Sequence, residues 1–479
     1  MGISLYVLLK KSPVFKISVN CSIIKMMIKK VLPFTALIFI LFSCASNQGE
    51  ADIFIEDKDS PSAPAAQAFP SAINLAPEVT EEMLESSWWL RNTKNPSQVI
   101  MPLKEISLWN DNVYTTLALS GNDLQIVTDL RKHSDRITAE DIRSSICSYN
   151  PGAPWYRKIK TKKGTRIHTL NDKDWKVFWQ EMNLEPLASY REWINQKWIL
   201  MKSNKKDFPV RKAVTVRRSN IREIPEDNFY SDDKDFWYDD IAQTSAVLMN
   251  EPVLVLWQSA DKKWYFIKTA FYTGWIHSAD VAFCTDEQFE KYFDYTKKAQ
   301  DSFITITKDR VQLSKDYFDS DAPSSPELFM GTYLHLVPWT SEITAKFSPR
   351  IPFACYLVEI PYRKSNGKLG ISYAAVPSSM CTKGLLPYTR KNTLELAFQS
   401  LGIRYGWGGM ADARDCSAYL MDIFRCFGFL FPRNSRNQMA MPGKTAVFSG
   451  KKLSEKQKML DSLECGTVLG FAGHVFLYL

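Results

Sequence analysis

The chain has 479 residues, 45% of them hydrophobic and 23% charged, with a formal net charge of +8. Residues 1–43 hold six lysines and no acid, so the remainder carries 54 basic against 52 acidic residues and gives no support for nucleic-acid binding. Nine cysteines without a C-x-x-C pair, and five scattered histidines, exclude a disulfide-dense scaffold and offer little to a zinc site.

From Met26 the order is a basic stretch, "MMIKK", an apolar run, "VLPFTALIFILFS", and then Cys44. That is the layout of a secretory signal, and the apolar run is short for a membrane-spanning helix. "LFSC" resembles a bacterial lipobox, which implies cleavage before Cys44 and lipidation of that cysteine. Residues 1–43 are therefore expected to be a lipoprotein signal peptide with an over-extended start, and the mature protein to be exported and anchored by lipid at the cell envelope. An uncleaved anchor helix is the alternative. Residues 44–76 are rich in Ser, Ala, Pro and acid, and read as a flexible tether.

The rest is too long for one ordinary core, so several domains are expected. Residues 77–208 are expected to be mainly helical. "TEEMLESSWWLRN" begins with Thr80 as N-cap, and "DKDWKVFWQEMNL" and "REWINQKWILMKS" carry apolar residues at helical spacing. Their tryptophans read as core rather than as a sugar-binding stripe. Residues 209–286 change to short β-rich runs such as "EPVLVLWQS" and "KWYFIKTAF", and residues 300–384 repeat that order loosely. Two small β-barrels follow. "KWYFIKTAFYTGWIHSADV" resembles bacterial SH3-like domains. From 389 the signal is mixed. Asn392 with Glu395 predicts the start of a helix that Gly402 stops, and "GTVLGF" and "HVFLYL" predict two strands joined at Ala472-Gly473.

One stretch, "RYGWGGMADARDCSAYLMDIFRCFGFLFPRNSRNQ" (404–438), carries chemistry. A nucleophilic thiol needs exposure, stabilisation of the thiolate, and a base within reach. The glycines of "WGG" turn the backbone tightly. Tyr419, Leu420, Ile423, Phe424 and Phe427 then recur on one helical face, which puts Cys416 at a helix N-terminus, where the dipole favours a negative sulfur. His474 opens the last strand and is the candidate base. On spacing alone, a structural cysteine and an incidental histidine are the favoured reading.

The stretch closely resembles the NlpC-type cell-wall peptidases, papain-like cysteine enzymes whose motif runs Y-x-W-G-G, D-C-S-G, helix, L-P-R-x-S-x-x-Q. Tyr405, Trp407, Gly408, Gly409, Asp415, Cys416, Ser417, Pro432, Arg433, Ser435 and Gln438 stand at those places, with Ala418 replacing the last glycine of D-C-S-G. The resemblance implies an α+β multidomain chain: the helical region, two SH3-like barrels, and a papain-like peptidase domain at 389–479. It implies Cys416 as nucleophile, His474 as base and then acid, and Tyr405 near the oxyanion. Asp415, Ser417, Arg433 and Ser435 would shape the substrate pocket; the alternatives are Asp415 as an N-cap only, Ser417 as a first-turn residue, and Arg433 and Ser435 as loop hydrogen bonders. Tyr272 of the first SH3-like module would border the same pocket.

The implied reaction cuts between γ-D-glutamate and a diamino acid in peptidoglycan stem peptides that present a free N-terminal L-alanine, whose ammonium Asp415 would pair. No cofactor, metal or nucleic acid is expected, and the protein is expected to act as a monomer. A non-catalytic wall-binding lipoprotein, and acyl transfer on the same fold, are the competing functions. Relatives place a third polar group roughly a dozen residues after the base to orient the imidazole. The sequence ends five residues after His474, which raises the expectation of a longer reading frame.

Overall fold

The computed structural model describes residues 2–9, 12–20, 73, 75, 79–119, 127–132, 142–143, 145–146, 153–186, 189, 208–314, 326–347, 352–443 and 445–479. Cys44, nearly all of the expected tether, and "REWINQKWILMKS" with its Trp193 and Trp198 lie outside these residues. Inside the expected signal segment, strands β1 (Gly2–Leu9) and β2 (Ser12–Asn20) form an antiparallel hairpin.

The segment 77–208 does not behave as one helical unit. Its first part is a 3-10 turn at Glu81–Leu84, a helix Ser86–Arg91, strand β3 (Val99–Met101) and a long helix Leu103–Leu119. Thr80 stands at the N-cap of the first turn, but its side chain makes no capping bond. Ile106, Trp109 and Val113 sink into the core of the C-terminal region, where Trp109 meets Phe429 edge-on at 5.1 Å. The second part contains a hairpin, β4 (Tyr156–Thr161) and β5 (Gly164–Thr169), turned at Gly164 with φ +114°. "YRKIKTKKGTRIHT" carries charge on both faces, so no alternation announced it. The helix Asp172–Glu181 follows, capped reciprocally by Asn171 and Asp174. Its Trp175, Phe178 and Trp179 are buried against the first β module.

That module holds β6 (Arg211–Thr215), β7 (Ser219–Arg222), β8 (Tyr230–Ser231), β9 (Gln243–Val247), β10 (Pro252–Gln258), β11 (Trp264–Lys268), β12 (Thr273–His277) and β13 (Val281–Phe283). Seven of these form one antiparallel sheet in the order β13-β6-β10-β11-β12-β7-β9, while β8 pairs with β4. Alternate residues serve two cores. Val253, Val255, Tyr265, Ile267 and Ile276 fill the interior of the module. Leu254, Leu256, Trp264, Phe266 and Trp275 face outward onto the tryptophan-rich helix. Burial on both faces explains why "VLVLW" and "WYFI" are unbroken apolar runs. Each such side chain contributes roughly 1.5–3 kcal/mol. The glycine before Trp275 is a spacing requirement, since a Cβ at Gly274 would meet Ile221 at 2.5 Å.

The second module begins after a helix Asp286–Glu290 capped by Thr285. It comprises β14 (Phe303–Ile306), β15 (Arg310–Gln312), β16 (Glu327–Phe329), β17 (Tyr333–His335), a helix Ser341–Phe347, β18 (Cys355–Arg363), β19 (Leu369–Pro377) and β20 (Cys381–Lys383). These make a three-stranded sheet β17-β14-β20 and two hairpins around Ile304, Ile306, Leu328, Leu334, Val358 and Val376.

In the C-terminal region β21 (Tyr388–Thr389) pairs with β3, tying the two ends of the described body together. The next helix spans Arg390–Phe398, three residues ahead of its expected start. Thr389 is its cap, accepting from the Asn392 N–H at 3.0 Å, while the Asn392 amide turns to the Pro387 carbonyl. Helices Cys416–Arg425 and Ser435–Gln438, strand β22 (Thr445–Val447), helix Leu453–Asp461, and strands β23 (Val468–Phe471) and β24 (His474–Leu477) complete it. The β23–β24 link is Ala472-Gly473, with Gly473 at φ +84°. On the other side of β23 lies β1, which also pairs with β22, giving the order β2-β1-β23-β24.

Candidate active site

The site is built on the helix Cys416–Arg425. Leu420, Ile423 and Phe424 are buried and anchor it, so its first turn is held rigidly. Asp415 is the N-cap, accepting from the Ala418 N–H at 2.9 Å. Ahead of it, "WGG" runs through Gly408 at φ +58° and Gly409 at φ +84°, a left-handed path that other residues resist. The turn is also pressed against the first β module. A Cβ on Gly408 would lie 2.2 Å from the Gln243 carbonyl, and one on Gly409 2.7 Å from Ala246. The Gln243 amide donates to the Gly408 carbonyl at 2.9 Å, and Arg218 donates to the carbonyls of Gly409 and Ala413.

Asp415 and Arg433 form a buried ion pair at the floor of the site. Arg433 donates to both carboxylate oxygens of Asp415 and, at 2.9 Å, to the Ser417 hydroxyl. Its Nε reaches the Ser245 hydroxyl of β9 at 2.8 Å, and its second amino group points to the Thr244 carbonyl. Asp415 also accepts from the Ser417 hydroxyl and the Gly408 N–H. Five donors thus converge on one carboxylate. Burial works against its charge, but the Arg433 guanidinium and these bonds outweigh it and hold Asp415 below the usual carboxylate range. An incoming ammonium would find the Asp415 oxygens already occupied. Gln438 braces the same floor by donating to the carbonyls of Ser417 and Pro432, both at 2.9 Å. Ser435 is half-buried at the start of its short helix.

Cys416 is partly buried. Its sulfur takes a hydrogen bond from the Val475 N–H, the residue after His474, and lies against the Tyr405 hydroxyl. Tyr405 also receives the Cys416 backbone N–H, so one hydroxyl stands beside both the sulfur and the first N–H of the helix. Burial pushes the thiol up to about 11, and the Asp415 charge adds to that push. The Val475 and Tyr405 bonds and Arg433 oppose it. Burial thus works against the helix terminus and disfavours the thiolate, opposite to the direction the sequence suggested. His474 is partly buried between Phe471 and Phe476, with ring centroids at 5.3 and 6.0 Å. Burial lowers its basicity, and the Asp415 charge opposes this. Both shifts favour the neutral form, of the thiol and of the imidazole alike.

Tyr272 is buried at the edge of this floor. Its hydroxyl is bonded with the Thr244 side chain, and it feels the charges of Arg433 and Asp415. Burial, then the nearby Glu223 charge, raises its pKa. Glu223 is itself buried, immediately after β7, with its backbone N–H on the Ala242 carbonyl. Sequence reasoning missed Glu223, which has no motif around it. It also missed Thr244 and Ser245, whose only signal is their place in a strand. The structure thus gathers Tyr405, Asp415, Cys416, Ser417, Arg433 and Tyr272 around the start of the helix Cys416–Arg425, with His474 on the strand beside it. Among the described residues, no group of three or more His, Cys, Asp or Glu side chains could hold a metal ion.

Comparison with known proteins agrees with this partition. Residues 402–479 match the model of the NlpC/P60 family, and residues 228–277 match that of the SH3 domain of SH3b1 type. The chain thus carries an NlpC/P60 domain behind a strand-rich middle of SH3-like character. Among solved structures, an NlpC/P60 endopeptidase from Photobacterium damselae subsp. piscicida aligns with 71% of this chain and 66% of its own, at 19% identity and a TM-score of 0.48. This chain spans just under two thirds of that protein's length. No curated protein matches the sequence.

Proposed function

We propose that the protein is a peptidoglycan stem-peptide hydrolase that cuts after γ-D-glutamate, before a diamino acid, and needs a free N-terminal L-alanine. The observation that carries the reading is the convergence on Cys416: a sulfur bonded by Tyr405 and the Val475 N–H at a helix N-terminus, beside the strand that opens with His474. In this reading His474 takes the thiol proton as sulfur attacks the γ-carbonyl carbon. The Cys416 N–H and the Tyr405 hydroxyl hold the oxyanion. His474 then protonates the departing amine, and water, deprotonated by the same imidazole, hydrolyses the thioester.

The free-amine requirement rests on the Asp415 charge, which reaches Tyr272 at the edge of the floor. With its oxygens engaged by Arg433, Asp415 would favour the ammonium through its field rather than by a direct bond. Ser417, Arg433 and Ser435 would face the glutamyl carboxylate. Anchoring through Cys44 at the cell envelope completes the proposal. The test is digestion of purified muropeptides and intact peptidoglycan, read by mass spectrometry, with Cys416→Ala as control. Free tri- and tetrapeptides should be cut, and the variant should lose on the order of 10⁶-fold in turnover. Equal cleavage of intact peptidoglycan would end the alanine requirement. No cleavage of either substrate would favour a non-catalytic wall-binding lipoprotein.

A further inference from the structure

Outside the active site, two cysteines of the second module lie at the same end of one hairpin. Cys355 is the first residue of β18, and its Cα partner on β19 is Pro377. The Ser378 N–H donates to the Ala354 carbonyl at 2.9 Å, which fixes the two chains side by side at that end. The backbone then makes one tight turn, Ser378–Met380, and Cys381 follows. The turn folds the Cys381 sulfur back to 3.6 Å from the Pro377 carbonyl, the residue directly across from Cys355. The Cys355 sulfur lies 3.3 Å from the Phe353 carbonyl at the same end of the hairpin. Both thiols are partly exposed. Burial pushes Cys381 up to about 12, with the Cys355 charge adding, so the two sulfurs are near enough to sense each other. The other described thiols outside the active site have different neighbours: Lys212 and Asp286 beside Cys284, Asp422 beside Cys426, and Thr93 beside Cys465.

We propose that Cys355 and Cys381 form a disulfide that closes the β18–β19 hairpin onto β20. The oxidant is a disulfide such as oxidised glutathione. The more exposed Cys355 attacks it as thiolate, forming a mixed disulfide and releasing one thiol. Cys381 thiolate then attacks the Cys355 sulfur and releases the second thiol. The protein loses two protons and two electrons, and the oxidant leaves as two thiols. The link does not depend on the peptidase reading. It would pin Met380, whose carbonyl accepts the Thr307 N–H at 3.1 Å, and so stiffen the approach to Asp309, which holds Arg414 two residues before the nucleophile.

The test uses the whole chain, incubated with excess oxidised glutathione, alkylated at low pH and cut with trypsin. The expected product joins peptides 351–363 and 369–383, is lighter than their sum by two hydrogens, and falls apart on reduction. In Cys355→Ser the 369–383 peptide should appear unlinked, carrying alkyl or glutathione. Recovery of both wild-type peptides separately, or of either linked to a different cysteine, would overturn the proposal.

Discussion

The two β-rich modules have similar lengths and loosely similar strand order, yet they meet the peptidase region in opposite ways. The first lays β9 along the "WGG" turn and contributes Thr244, Ser245, Glu223 and Tyr272 to the surroundings of the nucleophile. The second stays behind the catalytic helix. Its Asp309 binds Arg414 and the Ser400 hydroxyl, and its Tyr333 and Gly331 engage Arg425 at the far end. One module is a wall of the pocket and the other a brace for the helix. What differs is which strand edge each offers and which polar groups stand on it.

Arg433→Ala should show the largest effect, because it cuts the wall and the floor at once. Leaving Asp415 buried without its partner costs about 3–5 kcal/mol, read as a fall in Tm, together with loss of hydrolysis. The pH dependence should invert as well. In the wild type the lowered Asp415 pKa gives stability that is present above its unfolded value and lost as pH falls through the folded one. Without Arg433, burial alone would raise that pKa, so the variant should be more stable at pH 5 than at pH 7. A variant whose stability falls on mild acidification would contradict this account of the pair.

Gly408→Ala should come next. It forces a side chain into the left-handed region and against the Gln243 carbonyl, at a cost of roughly 1–3 kcal/mol for the backbone alone. Limited proteolysis near residues 405–412 should become faster if the wall separates. Asp309→Ala tests the brace. Arg414 keeps Asp422 at 2.6 Å, so the loss should be about 1–3 kcal/mol in stability, with KM unchanged. A KM change would mean that the second module also shapes the pocket. Tyr272→Phe is the mildest: removing one hydroxyl should raise KM for a free tripeptide several-fold, about 1 kcal/mol, and leave kcat and Tm near wild type.

The catalytic helix was legible because its signals are local. Asp415 caps, Cys416 opens the helix, and the apolar spacing from Tyr419 to Phe427 declares the buried face. The β23–β24 hairpin and the first module's strands were legible for the same reason. Long-range partnerships were not. Nothing near Ser245 in sequence announces Arg433, 188 residues away. The helix start moved from Asn392 to Thr389 because pairing of β21 with β3 sets where the helix can begin. The segment 77–208 looked like one domain because its tryptophans share a helical period. Period does not say which core each will join, and Trp109 and Trp175 joined different ones. The thiol's direction failed similarly, since the dipole is local whereas burial belongs to the whole fold.

The contact of Gln243 with Gly408 also limits how such a protein can be recombined. Gene rearrangement commonly joins modules at the linkers between them, and the stretch around residue 300 looks like such a place. A crossover there would separate the two halves of one latch: the amide and carbonyl of a strand, and the bare backbone of a turn that has room for nothing larger. A transplanted peptidase region would arrive with its nucleophile but without the surface that shapes its glycine turn. The smallest portable unit is therefore the pair, and hybrid enzymes should be designed with β9 and the turn inherited together.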